Sequence, residues 1–145
     1  MEKSKILLVE DNEDDIELTV HAFQKSRVAN EIVVLRDGET ALDYIFGRGA
    51  YAGRARHDHP AFVLLDLKLP GISGLDVLRQ VRKADDTRRI PIVILTTSDD
   101  EADIVTGYNL GVNSYIRKPV GFDAFSKVVD QLGLYWLVTN TPPPL

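Results

Sequence analysis

Cysteine is absent from the 145 residues, which excludes disulfides and thiolate metal ligands. Long apolar runs are absent too. In the opening MEKSKILLVED only four apolar residues separate Lys5 from Glu10. That is too few for a signal-peptide core or a membrane span, so a cytoplasmic chain with no membrane partner is expected. A basic stripe is also lacking. Net charge is −5, with 22 acidic and 17 basic side chains. Arg79, Arg82, Lys83, Arg88 and Arg89 do cluster, but Asp76, Asp85 and Asp86 are interleaved among them. The cluster reads as a solvated helix end, and nucleic acid is not expected as a partner. No internal repeat or second domain is visible.

What is present is the balance of an ordinary globule, 44% hydrophobic and 27% charged, in a length that fits one domain with one core. Residues Lys5–Val9, Glu31–Leu35, Phe62–Leu65, Ile92–Leu95 and Ser114–Ile116 are short apolar runs with the character of strands buried on both faces. Between them lie helical segments. Asn12 or Asp11 caps the first, which runs to about Ser26 with Ile16, Val20 and Phe23 inward. Asp37 and Gly38 open the second, which runs to Ile45 or Phe46. Leu75, Leu78 and Val81 mark the third. Asp99 or Asp100 caps the fourth, which ends near Gly111. Phe125, Val128, Val129, Leu132 and Trp136 form the stripe of the fifth. Gly47–Pro60, with three glycines and no apolar periodicity, reads as a long loop. The pattern is (βα)5, an α/β fold with a doubly wound parallel five-stranded sheet covered by helices on both faces. Residues 1–136 form the folded domain, and 137–145 a proline-rich arm that cannot be helical through Pro142, Pro143 and Pro144.

In such a sheet, ligands bind beyond the carboxyl ends of the strands. Strand one ends in Glu10 and Asp11, strand three in Asp66, strand four in Thr96 and Thr97, and strand five is followed by Lys118 and Pro119. Strand two ends in Arg36, to which no role is given. Three carboxylates at one edge repel, by about 3 kcal/mol per pair at roughly 5 Å and an effective dielectric of about 20. A cation relieves this, and an all-oxygen site with few carboxylates suits Mg²⁺. Asp66 is then a carboxylate nucleophile for phosphoryl transfer, Lys118 a point charge and Thr96 a hydroxyl donor to a phosphoryl oxygen. Taken singly, each feature has a plainer reading: Glu10 and Asp11 as a helix start, Thr96 as a strand end, Lys118 as a surface charge. Their convergence on one edge is what favours chemistry.

ILLVEDNEDD, VLLDLKLPGISG, VILTTS and SYIRKP together resemble the receiver domain of two-component response regulators over about Lys5–Leu132. The intervals of 30 positions from Asp66 to Thr96 and 22 from Thr96 to Lys118 fit that pattern. The resemblance implies a flavodoxin-like strand order 2-1-3-4-5 and a sensor histidine kinase that phosphorylates Asp66. It implies Mg²⁺ bound by Asp11 and Asp66, by the Lys68 backbone carbonyl, and by Glu10 through a water. It also implies a cis peptide between Lys118 and Pro119, and a switch in which Thr96 moves toward the phosphoryl group and Tyr115 turns inward. The surface of helix four, strand five and helix five then changes shape. A protein of this kind is a phospho-acceptor that catalyses its own phosphorylation rather than an enzyme acting on a substrate. A cationic Lys68 beside the phosphoryl group predicts slow self-dephosphorylation.

The long 47–60 loop, the end at Leu145 and the YW-then-PPP ending are similar to single-domain regulators serving bacterial and cyanobacterial phytochromes. A bacteriophytochrome kinase and a homodimer are therefore expected, with Tyr135, Trp136, Leu137 and the prolines in the interface. Rival readings fare worse. A haloacid-dehalogenase-type phosphatase needs an aspartate where Lys68 stands. A flavodoxin-like cofactor binder needs a phosphate loop where EDNEDD stands. A docking module that has lost phosphorylation would not need Asp11, Asp66, Thr96 and Lys118 together. His57 and His59 read as surface histidines rather than a metal site.

Overall fold

Strands of four or five residues make the centre of the molecule, and their apolar side chains alternate between two faces. In this computed structural model residues 5–26, 30–54, 59–98, 100–118, 122–134 and 136 are described. The order is β1 (Ile6–Val9), α1 (Glu13–Lys25), β2 (Ile32–Leu35), α2 (Gly38–Phe46), β3 (Phe62–Leu65), α3 (Gly74–Lys83), β4 (Ile92–Thr96), α4 (Glu101–Asn109), β5 (Ser114–Arg117) and α5 (Phe122–Leu134). The five strands pair in parallel in the order β2-β1-β3-β4-β5, the flavodoxin-like arrangement. Strands β1, β3 and β4 are buried throughout, whereas the edge strands β2 and β5 are mostly half-buried. Val9 pairs with both Leu35 and Leu65, and Thr96 with Arg117, so the carboxyl ends of the strands lie along one edge.

Alternation along each strand divides the core in two. Leu7, Val9, Val63, Leu65, Ile92 and Ile94 pack with Leu42 and Ile45 of α2 and Leu78 and Val81 of α3. Ile6, Leu8, Phe62, Leu64, Val93 and Leu95 pack with Ile16 and Phe23 of α1 and Phe125 and Val129 of α5. Trp136 joins this second cluster, with its ring 6.5 Å from that of Phe62. Helix starts follow the polar signals in the sequence. Asn12 accepts from the Asp15 N–H at 3.0 Å, Asp37 from Thr40 at 2.7 Å, Ser73 from Asp76 at 3.2 Å and Asp100 from Ala102 at 2.9 Å.

Three expectations are corrected. The inward stripe of α1 includes Thr19 and Ala22, while Val20 is only half-buried. Thr19 tolerates burial because its hydroxyl donates to the Asp15 carbonyl at 2.7 Å. Within the expected 47–60 loop the described residues 47–54 are ordered: Gly49–Tyr51 forms a 3-10 turn, and Arg54 donates to the carbonyls of Tyr44 and Ile45 at 2.8 Å each. These carbonyls lie in the last turn of α2, where Tyr44 accepts only a long bond from the Gly47 N–H at 3.3 Å, and the guanidinium folds back over them. Arg82 is not a solvated charge either. It donates to the carbonyls of Ile90 at 2.7 Å, Arg88 at 3.0 Å and Gly111 at 2.9 Å, and to Asn113 Oδ1 at 3.1 Å. Burial pulls its pKa below the usual guanidinium value. Smaller differences lie at element ends: β4 gains Thr96, β5 gains Arg117 and α4 stops at Asn109. Pro119, Tyr135, Leu137, Pro142, Pro143, Pro144 and His57 lie outside the described residues, and with them the expected cis peptide and most of the arm.

Candidate functional site

Parallel pairing places β1 and β3 side by side, and the Asp66 N–H donates to the Val9 carbonyl at 3.0 Å. Glu10 is fixed on the other side, where its N–H donates to the Leu35 carbonyl at 3.0 Å. The carboxylates of Glu10, Asp11 and Asp66 each place an oxygen within 4.8 Å of the others. Glu10 and Asp66 are buried, at 2% and 8% exposure, and Asp11 is exposed. The pocket is therefore open to solvent on the Asp11 side.

Gly74, the first residue of α3, sets the back wall. Its N–H donates to the Leu67 carbonyl at 2.9 Å. A Cβ at this position would collide with the Asp66 carbonyl oxygen and lie 2.8 Å from Leu67 Cα. Only glycine lets α3 approach this closely. Asp66 Oδ1 is 3.4 Å from the Lys68 N–H, and the Lys68 side chain is exposed.

Lys118 reaches in from the end of β5. Its N–H donates to the Thr96 carbonyl at 2.6 Å. Its ammonium, with only 9% of the side chain exposed, lies 2.6 Å from Glu10 Oε1, 2.8 Å from Asp15 Oδ2 and 3.8 Å from Asp66 Oδ2. Burial alone would lower the Lys118 pKa, but hydrogen bonds to Asp15 and Glu10 outweigh it and hold the ammonium above its usual value. Glu10 moves the other way to the common paired carboxylate. Burial pushes its pKa up to about 7 and the Asp66 charge adds to the rise, with Lys118 opposing.

Thr96 is wholly buried, and its hydroxyl accepts from the Ser98 N–H at 3.4 Å. The Tyr115 hydroxyl donates to the Ser98 carbonyl at 2.9 Å, and the Ser98 hydroxyl donates to Asp103 Oδ2 at 2.6 Å. The structure thus gathers Glu10, Asp11, Asp66 and Lys118 into one pocket, and ties Thr96 to Tyr115 through Ser98. Asp15 was missed in the sequence. Once Asn12 is the cap, Asp15 is the third helical residue, and side chains there lean back toward the helix start. That was the available signal. Arg36, given no role, pairs with Glu13 at 2.9 Å on the same edge.

The donor set fits a hard divalent cation: oxygen ligands only, close enough to share one ion, with a Glu10 pKa raised first by burial and further by the neighbouring Asp66. A pocket of carboxylates and one lysine, at the carboxyl edge of a 2-1-3-4-5 sheet, defines a class of phosphorylation-controlled proteins. The response regulator receiver domain matches residues 6–130, and the chain belongs to that family. It is 41% identical over 138 residues to the probable methanogenesis regulatory protein FilR2 of Methanothrix harundinacea, covering 95% of this chain and 86% of that protein. It is 38% identical to response regulator Rcp1 of Synechocystis sp., covering 95% of this chain and 92% of Rcp1. The crystal structure of Mn(2+)-bound Rcp1 superposes with a TM-score of 0.87, over 97% of this chain and 99% of that one. That of the phosphorylated cyanobacterial phytochrome response regulator RcpA, 39% identical, gives 0.89 over 98% and 99%. Among the described residues no helix is long and apolar enough to cross a membrane.

Proposed function

We propose that Asp66 is the phospho-acceptor of this receiver domain, serving a sensor histidine kinase. The observation that carries the reading is the Asp66 carboxylate itself. It is buried, shares a pocket with the Glu10 and Asp11 carboxylates, and has the Lys118 ammonium 3.8 Å away. In the transfer, an Asp66 oxygen attacks the phosphorus of a phosphohistidine, the P–O bond forms as the P–N bond breaks, and the imidazole leaves. Asp11, Asp66, the Lys68 carbonyl and, through a water, Glu10 would hold Mg²⁺. When bound, the ion offsets charge on the phosphoryl oxygens. Lys118 neutralises part of the same charge, and the Thr96 hydroxyl donates to a phosphoryl oxygen once it leaves Ser98. Tyr115, held to the Ser98 carbonyl, follows that movement, and the α4-β5-α5 surface changes with it.

Acetyl phosphate with Mg²⁺, read by intact mass, tests the assignment. One phosphate is expected on the wild type and none on Asp66→Asn. A wild type that stays unmodified would leave a docking module as the reading. The likeness to RcpA supports a phytochrome kinase as the phosphodonor, whereas the similar identity to FilR2 shows that this degree of relatedness also reaches a methanogen's regulator. Transfer from a purified bacteriophytochrome kinase, compared with a kinase of another input, separates the two. The homodimer rests on the resemblance and on the apolar run 135–138 in the sequence, of which Trp136 packs against its own core beside Phe62. Light scattering of the full chain and of a truncation after Val138 tests both the dimer and the arm. Persistence of the phosphorylated mass for minutes or longer is the expected sign of slow self-dephosphorylation.

A further inference from the structure

The Lys118 ammonium has two short partners, and neither is Asp66. Glu10 Oε1 and Asp15 Oδ2 are within 2.8 Å, whereas Asp66 Oδ2 stands at 3.8 Å, outside hydrogen-bonding range. Asp15 is not loosely placed. Its N–H is capped by Asn12 at 3.0 Å and its carbonyl accepts from Thr19 at 2.7 Å, so the backbone is anchored from both sides. Of the two short partners Glu10 is nearly inaccessible and Asp15 is about a third exposed, at 3% and 32% of the side chain. The Asp15 contact is therefore the more weakly desolvated one and the easier to exchange for another anion.

We propose that Asp15 is a positioning residue that holds the Lys118 ammonium away from Asp66 and competes with the phosphoryl group for it. This rests on Asp66 being the acceptor. Asp15 does not touch the reacting atoms. It acts through the lysine, and through its own negative charge beside a pocket that must admit a phosphoryl dianion. Asp15→Asn retains the shape and a hydrogen-bonding oxygen but removes the charge. Lys118 then shifts toward Asp66, and repulsion of an incoming anion falls. Both effects act in one direction.

The test uses the full chain and beryllium trifluoride with Mg²⁺ as the phosphoryl probe, followed by calorimetry. Asp15→Asn should bind the probe about two- to fivefold more tightly than wild type, the range of one partly exposed charge contact. Asp15→Glu, which restores the charge, should return to the wild-type value. A second readout needs neither metal nor phosphate: the ¹⁵N-ammonium resonance of Lys118 in metal-free protein should move on Asp15→Asn and return with Asp15→Glu. Unchanged or weakened probe binding in a folded Asp15→Asn, with wild type binding normally, overturns the proposal. So does an unmoved Lys118 resonance. Failure of the wild type to take phosphate at Asp66 strikes the acceptor assignment instead, and the resonance still reports on the Asp15–Lys118 contact.

Discussion

The Tyr115 hydroxyl donates to the Ser98 carbonyl across 2.9 Å, joining β5 to the loop that leads from β4 into α4. The same Ser98 offers its N–H to Thr96 and its hydroxyl to Asp103. Removing the tyrosine hydroxyl should loosen this loop without touching the carboxylates. Tyr115→Phe is expected to lower stability by about 0.5–1.5 kcal/mol, the net worth of one hydrogen bond. Amide exchange at residues 98 and 100 should quicken while Mg²⁺ affinity stays unchanged. Unaltered exchange would show that the hydroxyl does not restrain the loop.

Gly74 offers a sharper steric test. A methyl group there meets the Asp66 carbonyl and the Leu67 backbone, neither of which can rotate away. Gly74→Ala should cost about 1–3 kcal/mol as an overpacked site, measured by urea unfolding. Because the strain falls on Asp66, its labelling by acetyl phosphate should fall further than stability alone would dictate. A folded variant labelled at the wild-type rate would contradict this.

The raised Glu10 pKa has a definite sign. The carboxyl binds its proton more tightly in the folded chain, at about 7, than at the ordinary value of 4.5. Between those values the folded state holds more protons than the unfolded one, so this group's contribution to stability falls as pH rises through the window. Metal-free wild type should lose more stability between pH 5 and pH 7.5 than Glu10→Gln does, in paired thermal melts. Mg²⁺ should raise the melting temperature more at pH 8 than at pH 6, since protonation of Glu10 disfavours the cation. Equal slopes for the two proteins would rule out Glu10 as the source.

Arg82 is a structural clasp. It joins the end of α3 to the turn before β4, through the carbonyls of Arg88 and Ile90, and to the turn between α4 and β5, through that of Gly111. Arg82→Met keeps much of the aliphatic packing but leaves those acceptors short of donors. A loss of about 1–3 kcal/mol is expected, with the pocket residues and Mg²⁺ binding unaffected. Arg82→Lys should recover only part of the loss, because an ammonium cannot match the planar fork.

The strands and most helix starts were legible because their signals are local. Four-residue apolar runs such as FVLL stop at polar residues, and Asn12, Asp37 and Asp100 are caps by chemistry, whereas the Ser73 cap of α3 emerges only from the structure. The pocket was legible for a different reason, since a parallel sheet delivers every strand end to one edge. What stayed hidden depends on contacts distant in sequence. Arg82 looked like one cation among several because its carbonyl partners are not side chains and leave no mark in composition. Asp15 differs from Glu13 and Asp14 only by its place three residues after the Asn12 cap, and its partner Lys118 is 103 positions away. The order in residues 47–54 comes from Arg54 folding over the end of α2, and from Tyr51 meeting Tyr44 at 5.0 Å.

The two-sided core has a consequence for how such a protein can diversify. Tyr115 leans on the layer shared with α2 and α3, while Phe23, Phe125 and Trp136 occupy the opposite layer with α1 and α5. The sheet is a partition between these neighbourhoods. Substitutions on the outer face of α1 can reshape one flank of the molecule with little disturbance of the packing behind Tyr115 on the other side of the wall.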